Sequence, residues 1–200
     1  MATLILWLNI LAVLLLADFV TGLAQWFEDA YARDEWPLLG PLIARPNIIH
    51  HHDPRRILRS SWWSSTWLLL CMAASFALGA WLLGCLNWQV GFFAVVISQT
   101  DVVHKWSHGT RAENGPVISW LQDLRLLQTP QHHAQHHTDP KNSYYCALTN
   151  LLNPVLDRSR FWFGLEWLVW KLTGTRRRPD TSVAGHGPAP DWLPVQTGPS

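Results

Sequence analysis

Between Ser60 and Thr100 the chain carries no charged residue, and a second stretch, Thr3 to Phe27, has Asp18 as its sole charge. A water-soluble globule needs charged side chains on its outside, so runs of this kind point to a lipid environment. At ~1.5 Å per helical residue the longer run makes about 60 Å of helix, enough for two passages through a ~30 Å hydrocarbon core, and the shorter run about 35 Å, enough for one. The sequence "LLGCLNW" around Gly84 and Asn87 supplies the turn between the two passages. Three membrane crossings are therefore predicted, at about 3–27, 61–83 and 88–106. A cleaved signal peptide is the rival reading of the first, but the N-terminus lacks Lys or Arg and shows no A-x-A-like cleavage site.

Basic residues orient these segments. Arg33, Arg45, Arg55, Arg56 and Arg59 lie between the first and second, and Arg111, Arg125, Lys141 and Arg176 to Arg178 follow the third. The positive-inside rule puts both regions on the cytoplasmic face of a multi-pass integral membrane protein. Two later segments, "GPVISWLQDLRLL" and "RSRFWFGLEWLVWKLTG", have amphipathic character but are too short to cross, so they belong in the interface. The 14 tryptophans suit the same boundary, where an indole keeps its ring in lipid and its N–H near water. The expected fold class is all-α: an integral membrane helical bundle spanning 1–174, with a disordered polar tail over 175–200, rich in Pro, Gly, Arg and Ser. A net charge of +1 without a basic stripe argues against nucleic acid as a partner. Cys71, Cys85 and Cys146 lack C-x-x-C spacing and read as small hydrophobes.

Nine of the ten histidines fall in three groups on the predicted cytoplasmic side: "IHHHDP" (His50, His51, His52), "HKWSH" (His104, His108) and "HHAQHH" (His132, His133, His136, His137). Residues four apart share a helix face, so His104 and His108 can grip one ion, while the pairs 132/136 and 133/137 present imidazoles on faces about 100° apart. Eight convergent imidazoles exceed what one ion takes, which makes a dimetal site the natural reading; spacing alone does not choose among iron, copper, nickel and zinc. Three consecutive residues cannot all face one centre, so His52 is an extra ligand at most. Asp18, Asp29, Asp53 and Asp123 are candidates for holding the distal N–H of a metal-bound imidazole. Asp18, inside the first crossing, needs a partner wherever it points.

Taken together, "ADFVTGLAQW", "RPNIIHHHDP", "HKWSH", "WLQDLRLLQTPQHHAQHH" and "YYCALTNLLNPVLD" resemble, in order from about Ala17 to Gly174, the lipid desaturase domain. That domain is shared by plasmanylethanolamine desaturases and the plant desaturase acting on the palmitoyl chain of phosphatidylglycerol. The resemblance implies a membrane di-iron enzyme that uses molecular oxygen to introduce a double bond into an alkyl-ether or acyl chain of a phospholipid. Electrons would come from an external donor, cytochrome b5-like or ferredoxin-like. On the family pattern His50, His51, His104, His108, His132, His133, His136 and His137 are the metal ligands. This chain departs from the pattern at Gln25 and Arg125, where the family has histidine. An amide oxygen can still bind weakly, but a cation among the ligands would repel a metal, so Arg125 must point away or one site is altered. A lipid hydroxylase of the same metal type, or a non-catalytic metal-binding membrane protein, are the alternative functions. Arg55, Arg56 and Arg59 suit either a lipid phosphate or a positive-inside anchor.

Overall fold

Helix α1 (Ala2–Ala30) inverts the pattern of a soluble helix. Its buried stripe includes Ala17, Asp18, Thr21, Gly22, Gln25 and Asp29, while Leu4, Ile5, Leu8, Leu11 and Leu16 are exposed. Small and polar residues inside with apolar residues outside are what a lipid solvent selects, because hydrocarbon offers a polar group no partner. The computed structural model describes residues 1–183, 188 and 190–193, and no strand occurs among the described residues. The all-helical expectation holds.

After α1 come a π-helical turn (Gly40–Ala44), α2 (Arg45–His52), a 3-10 turn (Pro54–Arg59) and α3 (Trp62–Leu82). Ser61 caps α3, its Oγ accepting the Ser64 N–H at 3.1 Å. Exposed Trp62 and Trp63 stand at one end of α3 and exposed Trp81 at the other. At ~1.5 Å per residue the two ends lie about 28 Å apart, close to the thickness of a hydrocarbon core. Among the described residues, α1 and α3 are the two helices long and apolar enough to cross a bilayer.

The expected turn is present: Gly84 takes φ +69°, and Asn87 caps α4 by accepting the Val90 N–H at 3.0 Å. The third predicted segment is not one helix. It breaks at Gln99 (φ −104°, ψ 7°) into α4 (Trp88–Ser98) and α5 (Thr100–His108). Ser98 and Thr100, flanking the break, turn their hydroxyls onto the carbonyls of Val95 and Ile97, a back-bonding habit that bends helices. At 11 residues α4 reaches only ~16 Å, short of a crossing by itself. It packs on α1 and α3, while α5 lies against α3 and α7.

The remaining helices are α6 (Arg111–Asp123), α7 (Pro130–His136), α8 (Asn153–Arg158) and α9 (Phe161–Thr173). A Thr110–Glu113 capping box starts α6, and Gly115 at φ 73° interrupts it before Pro116. The irregular segment between α7 and α8 is held by polar contacts. Asp18, fully buried on α1, accepts the Leu148 N–H at 2.8 Å and the Thr149 hydroxyl at 2.5 Å. Gln128 Nε2 donates to the Cys146 carbonyl at 2.6 Å, and Asn153 Oδ1 accepts the Cys146 N–H at 2.9 Å. Gly22 lets this segment approach α1: a Cβ there would lie 2.6 Å from Cys146 Sγ. Trp26, Tyr145, Cys146 and Trp162 complete the core beside it, with the Tyr145 and Trp162 rings edge to face at 4.9 Å.

Residues 175–183 depart from the expected disordered tail. The Arg178 N–H donates to the Ala30 carbonyl at 2.8 Å, and Arg177 Nη1 reaches Tyr145 Oη at 2.6 Å and Glu166 at 2.8 Å. The polar composition concealed these bonds because their acceptors are the C-terminal carbonyls of α1 and residues of the core and α9, all far away in sequence. His186 and most of the rest of the expected tail lie outside the described residues.

Asp18→Ala removes the acceptor of two buried donors, each costing about 1–3 kcal/mol when left unpaired. Thermal or denaturant unfolding in detergent is expected to show a loss of at least about 2 kcal/mol. An unchanged midpoint would mean that Asp18 does not hold the Leu148 segment.

Candidate metal centre

The histidine-bearing elements arrive from three directions. α2 ends in His50, His51 and His52; α5 presents His104 and His108 one turn apart; and α7, capped by Thr129 Oγ1 accepting the His132 N–H at 3.2 Å, carries the last group. His137 sits just past the helix as its C-cap. These elements bring the side chains into two separate groups.

The first comprises His50, His104, His108, His133 and His137, one ligand nitrogen from each lying within 4.8 Å of all the others. Their Nε2 atoms face one another: His50 to His137 at 3.1 Å, His137 to His133 at 3.1 Å, His133 to His104 at 3.0 Å and His104 to His108 at 3.3 Å. An Nε2 carries either one hydrogen or one in-plane lone pair, so His133, with two such neighbours, cannot satisfy both by hydrogen bonding. Ligands 90° apart on an ion at ~2.1 Å lie about 3.0 Å apart, which is the spacing seen here. Burial first, then the crowd of neighbouring imidazoles, holds His50 and His133 well below the usual histidine range and also lowers His137. These rings are neutral at pH 7, the form that ligates a metal.

The second group is Asp29, His51 and His136. His51 Nε2 lies 3.2 Å from Asp29 Oδ1, and His136 Nε2 lies 3.4 Å from Asp29 Oδ2. Both nitrogens and Asp29 Oδ2 are buried without a hydrogen bond among the described residues, three ligand atoms close to one another. Their opposite ring nitrogens are fixed. His136 Nδ1 donates to the Ser143 carbonyl at 2.9 Å, and His51 Nδ1 meets Asp180 Oδ2 at 2.5 Å. Each imidazole thus keeps Nε2 as its ligand atom. Burial opposes a cation on His51, but Asp29 and Asp180 outweigh it and push His51 up to about 9; for His136, burial prevails and lowers it to about 4. The groups adjoin, with the His136 and His137 rings 5.2 Å apart. The donor set, rich in imidazole with one carboxylate, suits a first-row transition metal such as iron.

Seven of the eight histidines expected as ligands fall in these groups, and His132 does not. Its Nε2 lies 3.3 Å from Asn153 Nδ2, and its ring packs on Tyr144 at 5.1 Å. The pairing of 132 with 136 fails because His136 turns to Asp29, while His132, one turn earlier on α7, meets the segment leading into α8. His52 also stands apart, its Nε2 3.0 Å from Thr181 Oγ1. Of the four carboxylates expected behind the ligands, Asp18 holds the Leu148 segment, Asp123 forms a bidentate pair with Arg111 at 2.6 and 3.0 Å, and Asp53 belongs to neither group. Asp29 alone of the four touches the histidines, and it meets their ligand atoms. Arg125 is exposed and faces away from both groups: it lines a surface cavity with His132, and its charge adds to burial in lowering that imidazole. Gln25 is buried one turn before Asp29 on α1, with its Nε2 unpartnered. Nothing in the motif spacing marks the Ser143 carbonyl or Asp180, which sits in the polar tail.

His133→Ala or His137→Ala is expected to lower the metal content of the purified protein, whereas His132→Ala is expected to leave it at the wild-type level. Metal analysis of the three variants checks this, and loss of metal from His132→Ala would contradict the grouping.

Comparisons with known proteins cover the stretch of chain that carries both groups. The lipid desaturase domain matches residues 14–180, a span that runs through both groups and extends to Asp180. A plasmanylethanolamine desaturase of Myxococcus xanthus is 32% identical over 189 residues, covering 87% of this chain and 65% of that protein. Plasmanylethanolamine desaturase 1 of Mus musculus is 34% identical over 185 residues, covering 86% and 68%. The chloroplastic fatty acid desaturase 4-like 2 of Arabidopsis thaliana is 29% identical over 172 residues, covering 82% and 60%. The chain thus spans about two thirds or less of the length of these relatives. No solved structure matches. With a domain match across most of its length and similarity of this extent, the chain belongs to the lipid desaturase family.

Proposed function

We propose that this protein is a membrane di-iron lipid desaturase that introduces a double bond into an alkyl-ether or acyl chain of a phospholipid. The observation that carries the reading is the division of seven histidines and Asp29 into two adjacent donor groups, the second fully buried and the first partly so, in a chain of this family. Iron bound there would supply the redox chemistry, with oxygen and electrons from an external donor, that an unactivated C–H bond requires and that zinc lacks. The residues of the chain bind the ions through Nε2, His51 giving up on binding the second proton that Asp29 and Asp180 otherwise hold on it, and ring orientation is fixed through Ser143 and Asp180. Three crossings remain the proposed topology, with α4 and α5 together, about 30 Å of helix, forming the third and the donor groups at its cytoplasmic end.

A cavity of about 650 Å³ supports a phospholipid substrate. It is lined by Ile49, Ile57, Ser64, Arg56 and Arg59, and His50 of the first group also faces it. Arg56 and Arg59 outnumber the one carboxylate in the lining, Asp101, and with the apolar wall of Ile49 and Ile57 they suit an amphiphile with a phosphate, near the exposed Trp62 and Trp63 at the end of α3. Arg55, by contrast, is engaged with Glu113 at 2.7 Å.

Protein purified from membranes and reconstituted anaerobically with Fe(II) is expected to hold about two irons per chain. Lipid mass spectrometry of cells with and without the gene is expected to show a phospholipid that loses two hydrogens only when the protein is present. A product heavier by one oxygen would instead indicate a hydroxylase, and an unchanged lipid profile a non-catalytic metal protein. Arg56→Gln with Arg59→Gln is expected to raise KM for the phospholipid roughly tenfold or more with little change in kcat, the loss of a charge-assisted contact. An unchanged KM would remove the phosphate from this cavity.

A further inference from the structure

The segment Arg176–Val183, read from composition as tail, returns to the second donor group. Three anchors hold it there. Arg178 bonds to the end of α1 through its N–H on the Ala30 carbonyl at 2.8 Å and its guanidinium on the Glu28 carbonyl at 3.1 Å. Arg177 reaches Tyr145 Oη, Glu166 and, at 3.1 Å, the Lys141 carbonyl. Lys141 in turn donates to Ser182 Oγ at 3.0 Å. Between these anchors Asp180 is buried, at 7% exposure. One of its oxygens accepts the Ser182 N–H at 2.8 Å and hydroxyl at 2.7 Å, and the other meets His51 Nδ1 at 2.5 Å.

We infer that Asp180 is a positioning residue for the second ion, and that Arg176–Val183 is a strap that completes this site. The inference rests on the two-ion reading of the donor groups. His51 follows directly on His50, and the two rings must serve different groups although they leave adjacent positions of one short helix. A carboxylate on Nδ1 keeps a proton on that nitrogen, so the proton an ion displaces is the one on Nε2, toward Asp29 and His136, and Nε2 becomes the more basic ligand atom. It also brings a second negative charge close to this site, beside Asp29, whereas the first group is ligated by imidazole alone. Nδ1 of His50, His133 and His137 in that first group has no hydrogen-bond partner among the described residues, so the device belongs to the second site.

The test uses the full-length protein, stripped of metal and titrated anaerobically with Fe(II), in the wild type, Asp180→Asn and Asp180→Ala. Asn keeps the shape and can accept from Nδ1–H, so it guards against a variant that fails through misfolding. Two classes of iron are expected in the wild type. Loss of an outer partner typically costs 10- to 100-fold in metal affinity, so Asp180→Ala is expected to weaken one class by that factor, with Asn intermediate and the other class unmoved. The Mössbauer spectrum of the 57Fe-loaded chain is expected to change in one of two iron components, a signature that loosening of the strap alone would not confine to one ion. Two classes with wild-type affinities in Asp180→Ala overturn the inference and leave the two-ion reading standing. A wild type that takes up a single ion overturns both.

Discussion

The structure depends on a constraint that hydrogen bonding cannot resolve. Five Nε2 atoms, those of His50 and His133 on buried rings and the other three on half-buried ones, face one another at 3.0 to 3.3 Å, and neutral imidazoles cannot all be satisfied by their neighbours at that spacing. A cation placed among them converts an unfavourable cluster of desolvated lone pairs into a shell of bonds. Much of the architecture serves to hold that cluster together. The break at Gln99 separates α4, which packs with the two membrane-capable helices, from α5, which carries His104 and His108 against α7. The Asp18 contacts fasten the segment from Tyr144 to Asn150 onto α1, and that segment supports α7 through Gln128 and Asn153.

The two donor groups differ in kind, and their positions explain why. The first is supplied by α2, α5 and α7 and is built from imidazole alone; the second adds Asp29 from α1, and its histidines are braced from behind by Asp180 and the Ser143 carbonyl. α1 thus does more than anchor the chain in lipid. One face of it carries Asp18, which shapes the scaffold, and Asp29, which faces the second group, with Gln25 between them. Asp29 and Asp180 concentrate negative charge around the second group.

Much of this was legible in the sequence, for identifiable reasons. Uncharged runs reported α1 and α3 because the lipid solvent forbids charge over a fixed length, and Gly84 with Asn87 marked the turn between α3 and α4. The i,i+4 rule pairs His104 with His108 and His133 with His137, and these rings do lie together, since the pairs are local. It failed for His132, because whether a helical face meets a metal or Asn153 is decided by a segment folded over it from further along the chain. The break at Gln99 escaped hydropathy, which averages over side chains and does not register where Ser98 and Thr100 turn their hydroxyls. Asp180 was hidden for a related reason: polar composition describes a segment's average solubility, whereas its order here comes from particular acceptors on α1, α9 and the core.

The most direct test of the account is an anomalous difference map of the iron-loaded protein recorded at the iron absorption edge. Two peaks are predicted, one enclosed by His50, His104, His108, His133 and His137 and the other by Asp29, His51 and His136, with His132 bound to neither. A single peak, or a peak ligated by His132, would contradict it.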